Sequence, residues 1–288
     1  MYNIDARAEK LLAKRGISGH TAADRFCDDF KAYLCYYALK SGILSSAEQT
    51  LELLEDDANL VSSDIFNKNF RATFEDLIPD ILLNDAIFPN LFKQLLGCNG
   101  KGIGIGELVL PIIMTEYSFS VVSDGEMLNG DKVEIKKNGA SLKPVKKGLT
   151  DHGLVDRLNE KYFNGTVPGM KQKRLFNEHV STITDPKVYA GYFKELYVGC
   201  DTTELAKEVA TCYTNSIAFN NAVGKFALKN YQRVDGWKNL LIIDDEKMTV
   251  VNIVDIEDID GLGLKFYPKF KRGKDTQAIS DGYVNVRI

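Results

Sequence analysis

Two residue types that organise disulfide-rich and metal-bound domains are scarce. The 288-residue chain has five cysteines and three histidines. Cys27, Cys35, Cys98, Cys200 and Cys212 are odd in number and scattered, without a CxxC pair, and His20, His152 and His179 lie far apart. A structural zinc site needs four ligands at tighter spacing, so none is expected, and the cysteines read as small reduced residues filling the interior. Nor does any apolar run approach the roughly 20 residues of a membrane span. Residues 1–16 are charged and polar, without the apolar centre of a secretory signal, so a cytoplasmic location is expected. Low-complexity tracts and internal repeats are absent, and a 44% hydrophobic content argues for a folded chain over a disordered one.

Several catalytic signatures are missing too. There is no Gly-x-Ser-x-Gly elbow. The glycine-rich stretch 97–106 lacks the Gly-Lys-Ser/Thr ending of a phosphate-binding loop. A dinucleotide fingerprint would need a strand before it, whereas residues 91–96 read as helix. His152, after Asp151, reads as a surface histidine at a helix start, and Trp237 as a core residue.

What is present divides unevenly. Residues 1–97 carry ten Lys/Arg against fifteen Asp/Glu, and residues 98–288 twenty-six against twenty-five. The net charge of −4 argues against nucleic-acid binding through bulk charge, while leaving room for a local basic groove. The first segment reads as helical. Thr21 to Asp24 is a candidate cap before Phe26, Phe30, Leu34 and Tyr37 at helical spacing, with a stop near Ser41-Gly42. Ser45 and Glu48 have capping-box spacing ahead of Leu51 and Leu54. A further helix is expected from Ser63 to Ile78, ending before Pro79, and a short one from Glu107 to Tyr117. Asn129-Gly130 between β-rich flanks predicts a hairpin. Helices are expected again from Asp151 to Tyr231, with a long candidate between Thr203 and Tyr231. A second hairpin follows over residues 240–253, then short strands around 265–267 and 283–286.

The first hairpin gathers chemistry. Folding at Asn129-Gly130 sets Asp124 roughly opposite Glu134, and strand alternation points Glu134 and Lys136 to one face while Ile135 points inward. Two carboxylates can anchor a hard Mg²⁺ or Mn²⁺ ion, and a neighbouring lysine can orient water or stabilise developing charge. Glu107 offers a third carboxylate. Acid-x-Lys occurs four times in the chain, at residues 29–31, 134–136, 185–187 and 245–247, so the tripeptide alone selects nothing. Only Glu134 also has the glycine loop, the upstream glutamate, the aspartate and the hairpin turn.

This arrangement over residues 104–148 (Gly104-Ile105-Gly106-Glu107-Leu108, Asp124, Val133-Glu134-Ile135-Lys136, then Asn138-Gly139-Ala140-Ser141-Leu142) resembles the PD-(D/E)xK nuclease superfamily, in particular the restriction-endonuclease-like proteins of tailed phages. Ser123 stands where that motif often has proline. The resemblance implies Asp124, Glu134 and Glu107 as metal ligands, Lys136 as the water-positioning or charge-stabilising group, and phosphate contacts at Ser141 and Lys143. It also implies the host cytoplasm as location if the chain is phage-encoded.

Lysines add to it. Lys136, Lys137, Lys143, Lys146 and Lys147 fall in an acid-free window over residues 135–150, suited to backbone phosphates. A second acid-free stretch, residues 265–274, interleaves aromatics with five basic residues including Lys269, Lys271 and Arg272, a recipe for single-stranded nucleic acid. The expectation is therefore an α/β (α+β) protein with a restriction-endonuclease-like core and mixed central sheet. Its segments would be a helical N-terminal region over 1–97, the core over 98–235 and a β-rich segment over 236–288. Its function would be Mg²⁺- or Mn²⁺-dependent endonucleolytic cleavage of DNA, as a homodimer for duplex cutting. The alternative is a non-catalytic nuclease-fold protein that binds DNA or serves in a phage structure.

Overall fold

The computed structural model describes residues 4–21, 23–43, 45–98, 103–120, 123–142, 154–163, 186–212, 215–269 and 283–288. The chain is mixed α/β and divides into two compact units. One comprises Met1–Asn138 and Trp237–Asp255, the other Gly139–Gly236 and Ile256–Ile288. Among the described residues no helix is long and apolar enough to cross a membrane.

In the first unit, helices α1 (Ile4–Lys14), α2 (Asp24–Ser41), α3 (Ser46–Glu55) and α6 (Phe88–Leu96) bury one apolar face each. Phe26, Phe30, Leu34 and Ala38 form that face on α2, which ends where Gly42 adopts φ 73° and donates its N–H back to Leu39 O. Arg7 ties α1 to α3 through two hydrogen bonds to Glu55, at 2.9 and 2.8 Å. The expected N-caps do not form. Ala23 and Ser45 both have helical backbone and make no side-chain cap bond, which requires an extended cap residue.

The sheet of this unit has six strands in the order β1-β7-β6-β4-β3-β2. They are β1 (Phe70–Thr73), β2 (Tyr117–Phe119), β3 (Gly125–Met127), β4 (Lys132–Lys137), β6 (Asn239–Asp244) and β7 (Thr249–Ile253). All neighbours are antiparallel except β4 and β6, which run parallel with Lys136 opposite Ile242. Every residue of β6 is buried, consistent with its unbroken apolar run and a place inside the sheet. The core joins the helical faces to Val133, Ile135, Leu241, Ile243 and Val250 of the sheet.

The helix expected over Ser63–Ile78 is replaced by a 3₁₀ turn (Ser63–Asn67), strand β1, and a one-turn helix α4 (Phe74–Leu77). Hydrogen bonds from distant residues override the local pattern. Asn239 and Asn252, both buried, donate to Phe66 O at 2.7 and 3.3 Å, and Asn252 also donates to Lys68 O at 2.8 Å. Asn69 Oδ1 accepts from the Val254 and Asp255 N–H groups. A capping box closes α4 instead, between Thr73 and Asp76. Two further short helices in this unit are α5 (Asp80–Leu83) and α7 (Leu110–Ile113).

The second unit contains α8 (Leu154–Phe163), α9 (Pro186–Leu196), α10 (Thr203–Cys212), α11 (Ser216–Asp235) and an antiparallel sheet β5-β9-β8. Its strands are β5 (Ser141–Leu142), β8 (Lys265–Lys269) and β9 (Tyr283–Arg287). The long helix expected between Thr203 and Tyr231 is two helices, because Asn215 caps the second by accepting from the Ile217 and Ala218 N–H groups. A Cβ on Gly224 of α11 would fall inside the Phe266 ring of β8. Gly224→Ala is therefore expected to cost about 1–3 kcal/mol, read from the urea midpoint; an unchanged midpoint contradicts this packing. The cysteines are free, as expected, but all five are only half-buried.

Candidate active site

The hairpin of β3 and β4 closes over residues 128–131. Only Gly130 takes a positive φ, 85°, while Asn129 uses its side chain to accept from the Asp131 N–H at 2.9 Å. Gly125 pairs with Val133, so Asp124 arrives one step further along, against Glu134 and Ile135. Its Oδ2 accepts the Ile135 N–H at 2.7 Å, which fixes the carboxylate to the neighbouring strand. Val133 and Ile135 are buried on one face, while Glu134 and Lys136 share the other.

On that face Lys136 is surrounded by oxygen. Its ammonium is hydrogen-bonded to Glu134 Oε1, donates to Ile135 O at 3.2 Å, and lies 3.7 Å from Asp124 Oδ2. The three side chains remain reachable from solvent, at 23% exposure for Lys136, 23% for Asp124 and 16% for Glu134. Burial works against the lysine's charge, but Glu134 and Asp124 outweigh it and hold the ammonium above the usual lysine range. Burial, then the charge of Glu134, pushes the Asp124 carboxyl up.

Glu107 is the most enclosed of the set, 7% exposed. It sits in a turn, not in the helix expected over Glu107–Tyr117. Gly106 at φ 80° precedes it, and α7 covers only Leu110–Ile113. The chain then leaves the helix because Val61 takes it up, with Val61 N bonded to Ile113 O and Thr115 N to Val61 O, both at 2.9 Å. Glu107 Oε1 accepts the Gly104 N–H at 2.6 Å, in the space a Cβ on Gly104 would occupy. Burial, reinforced by the charges of Asp124 and Glu134, pushes the Glu107 carboxyl up to about 7.

Tyr117 joins the site unannounced by the sequence, where it looks like any core aromatic. Its hydroxyl is buried and has no hydrogen-bond partner among the described residues. It occupies the space a Cβ on Gly125 would need, and it feels the charges of Asp124 and Glu107. The signal available in sequence was the glycine directly after Asp124.

The other singled-out residues lie elsewhere. Lys137 is exposed and paired with Asp245 at 2.8 Å. Ser141 belongs to the second unit and donates to Asn285 Oδ1 at 2.8 Å. Lys269 ends β8, and Lys143, Lys146, Lys147, Lys271 and Arg272 fall outside the described residues, as do His152 and His179. His20 packs edge-on against Phe119, with ring centroids 5.4 Å apart.

The donor chemistry suits a hard divalent cation. It consists of carboxylate oxygens, partly desolvated, beside a buried hydroxyl that lacks a partner among the described residues. Among the described residues, however, no three or more His, Cys, Asp or Glu side chains are gathered as a ready-made metal cage. Asp124 and Glu134 are held together by the ammonium of Lys136. Compared with family models, curated proteins and solved structures, the chain finds no match.

Proposed function

We propose that the chain is a divalent-metal-dependent endonuclease acting on DNA, with Asp124, Glu134, Lys136 and Glu107 as its working group. The observation that carries this reading is the face of β4 on which Lys136 is set between Glu134 and Asp124, with the buried Glu107 carboxyl interacting with all three. Asp124 and Glu134 would hold Mg²⁺ or Mn²⁺, with Glu107 the third carboxylate. The bound ion supplies Lewis acidity at a phosphoryl oxygen and a water of lowered pKa. Lys136 contributes a fixed positive charge and ammonium donors where charge develops on the phosphate oxygens. Glu107, with one oxygen fixed by the Gly104 N–H at 2.6 Å, would be held in place as that third carboxylate. Supercoiled plasmid incubated with the protein is expected to be cut with Mg²⁺ or Mn²⁺ and left intact in EDTA. No cutting of plasmid or single-stranded circles with either metal overturns the reading.

One observation favours a non-catalytic DNA-binding or structural role: Lys136 already pairs with both carboxylates. Calorimetric titration with Mn²⁺ separates the two. The hydrolase reading expects binding heat that is lost in Asp124→Ala, and the non-catalytic reading expects none.

A further inference from the structure

Helix α2 is apolar on both sides. Phe26, Phe30, Leu34 and Ala38 line its buried side. Ala32, Tyr36 and Leu39 lie half a turn away, and the stripe continues to Ile43 just past the Gly42 cap. Tyr36 is 53% exposed, Leu39 67% and Ile43 51%. Among the described residues seven large hydrophobic side chains are exposed, and three of them fall in this one stripe, so single scattered residues do not account for it. The steps of four, three and four residues from Ala32 to Ile43 are the seam spacing of paired helices.

The charges beside the stripe identify what covers it. Asp28 and Asp29 stand at its N-terminal end and Lys40 at its C-terminal end. The Asp28 side chain is 79% exposed, Asp29 has only a loose ion pair with Arg25 at 3.7 Å, and Lys40 is exposed without an ion pair among the described residues. Asp29 and Lys40 are about three turns apart and flank the stripe on the same side. A two-fold axis across an antiparallel helix pair sets like flanks against each other. A second α2 laid antiparallel therefore brings each Lys40 level with Asp29 of the other copy, seats each Tyr36 against the small Ala32 of the other copy, and opposes the helix dipoles. A parallel pair would set acid against acid and lysine against lysine.

We propose that the outward stripe of α2 is a self-complementary surface on which two copies of this chain pair antiparallel. The proposal stands on α2 alone and does not depend on hydrolysis at Glu134. One pair of 18-residue helices buries no more than the roughly 1,200 Å² at the low end of specific interfaces, so a dimer of micromolar affinity is expected.

Sedimentation velocity of the full chain in EDTA, from about 1 to about 200 μM, tests this. A reversible monomer–dimer equilibrium is expected. Tyr36→Asp should weaken it at least tenfold with an unchanged thermal midpoint, since that ring is mostly in solvent. Asp29→Lys and Lys40→Glu should each weaken it at least threefold, and the two together should restore it, because the exchanged charges meet again across the two-fold axis. Glu134→Ala should dimerise as wild type does, whatever the outcome of the plasmid assay, which separates failure here from failure of the nuclease reading. A chain that stays monomeric throughout, a dimer that survives Tyr36→Asp, or a charge exchange without rescue overturns the proposal.

Discussion

Glu134→Ala is expected to lower Mg²⁺-dependent plasmid cleavage by about a thousandfold or more while DNA affinity stays within about threefold. The expectation follows from what Glu134 touches. Its Oε1 holds Lys136, and its charge acts on both Asp124 and Glu107. Removing it takes one carboxylate from the pair proposed to hold the cation and frees the ammonium from its position. Lys136→Met leaves both carboxylates and removes the positive charge, so it is expected to reduce the rate by about 10²–10³-fold, with metal binding retained or strengthened. Cleavage kinetics on supercoiled plasmid, paired with filter binding in Ca²⁺, check both. If Glu134→Ala cuts at the wild-type rate, this hairpin is not the centre.

The second large effect concerns stability without metal. The Glu107 carboxyl is raised from about 4.5 to about 7 in the folded chain. A folded pKa above the unfolded one means that the fold favours the protonated form. This contribution is complete below about pH 4.5 and is lost as pH rises through about 7. At about 1.4 kcal/mol per unit the full conversion is about 3 kcal/mol, and about 2 kcal/mol is expected because neighbouring groups share the proton. Glu107→Gln keeps the shape and removes the titration. In EDTA its urea-derived stability should exceed that of wild type by about 2 kcal/mol at pH 8 and match it near pH 4.5. A difference independent of pH would show that Glu107 is not buried in charged form at pH 8.

The parts of this site that were legible in sequence are those built by short-range rules. Strand alternation placed Glu134 and Lys136 on one face and Ile135 on the other, and Asn129-Gly130 placed Asp124 against them. Helix α2 was legible from its apolar spacing and its terminal glycine. What escaped depends on partners distant in sequence. Strand β1 pairs with β7, and the amides that pull Phe66 and Lys68 out of a helix come from Asn239 and Asn252. Helix α7 is short because Val61 captures the chain after it. The Tyr117 hydroxyl reached the site only because Gly125, across the hairpin, leaves room for it.

The interleaving of the two units has a consequence for biosynthesis. Strand β6, the parallel partner of the Glu134 strand, is separated from it by residues 139–236, and β5 pairs with β9 near the other end of the chain. Neither unit is a contiguous stretch, so neither completes its sheet early in translation. The ribosome exposes the Glu134 hairpin with one edge bare until Ile243 has emerged. Closing so long a loop costs about 4 kcal/mol if the intervening chain is flexible, and such non-local pairing is slow. The face bearing Glu134 and Lys136 therefore matures late, and a nascent or C-terminally shortened chain carries Asp124, Glu134 and Lys136 without the strand that pairs with the backbone of the last two.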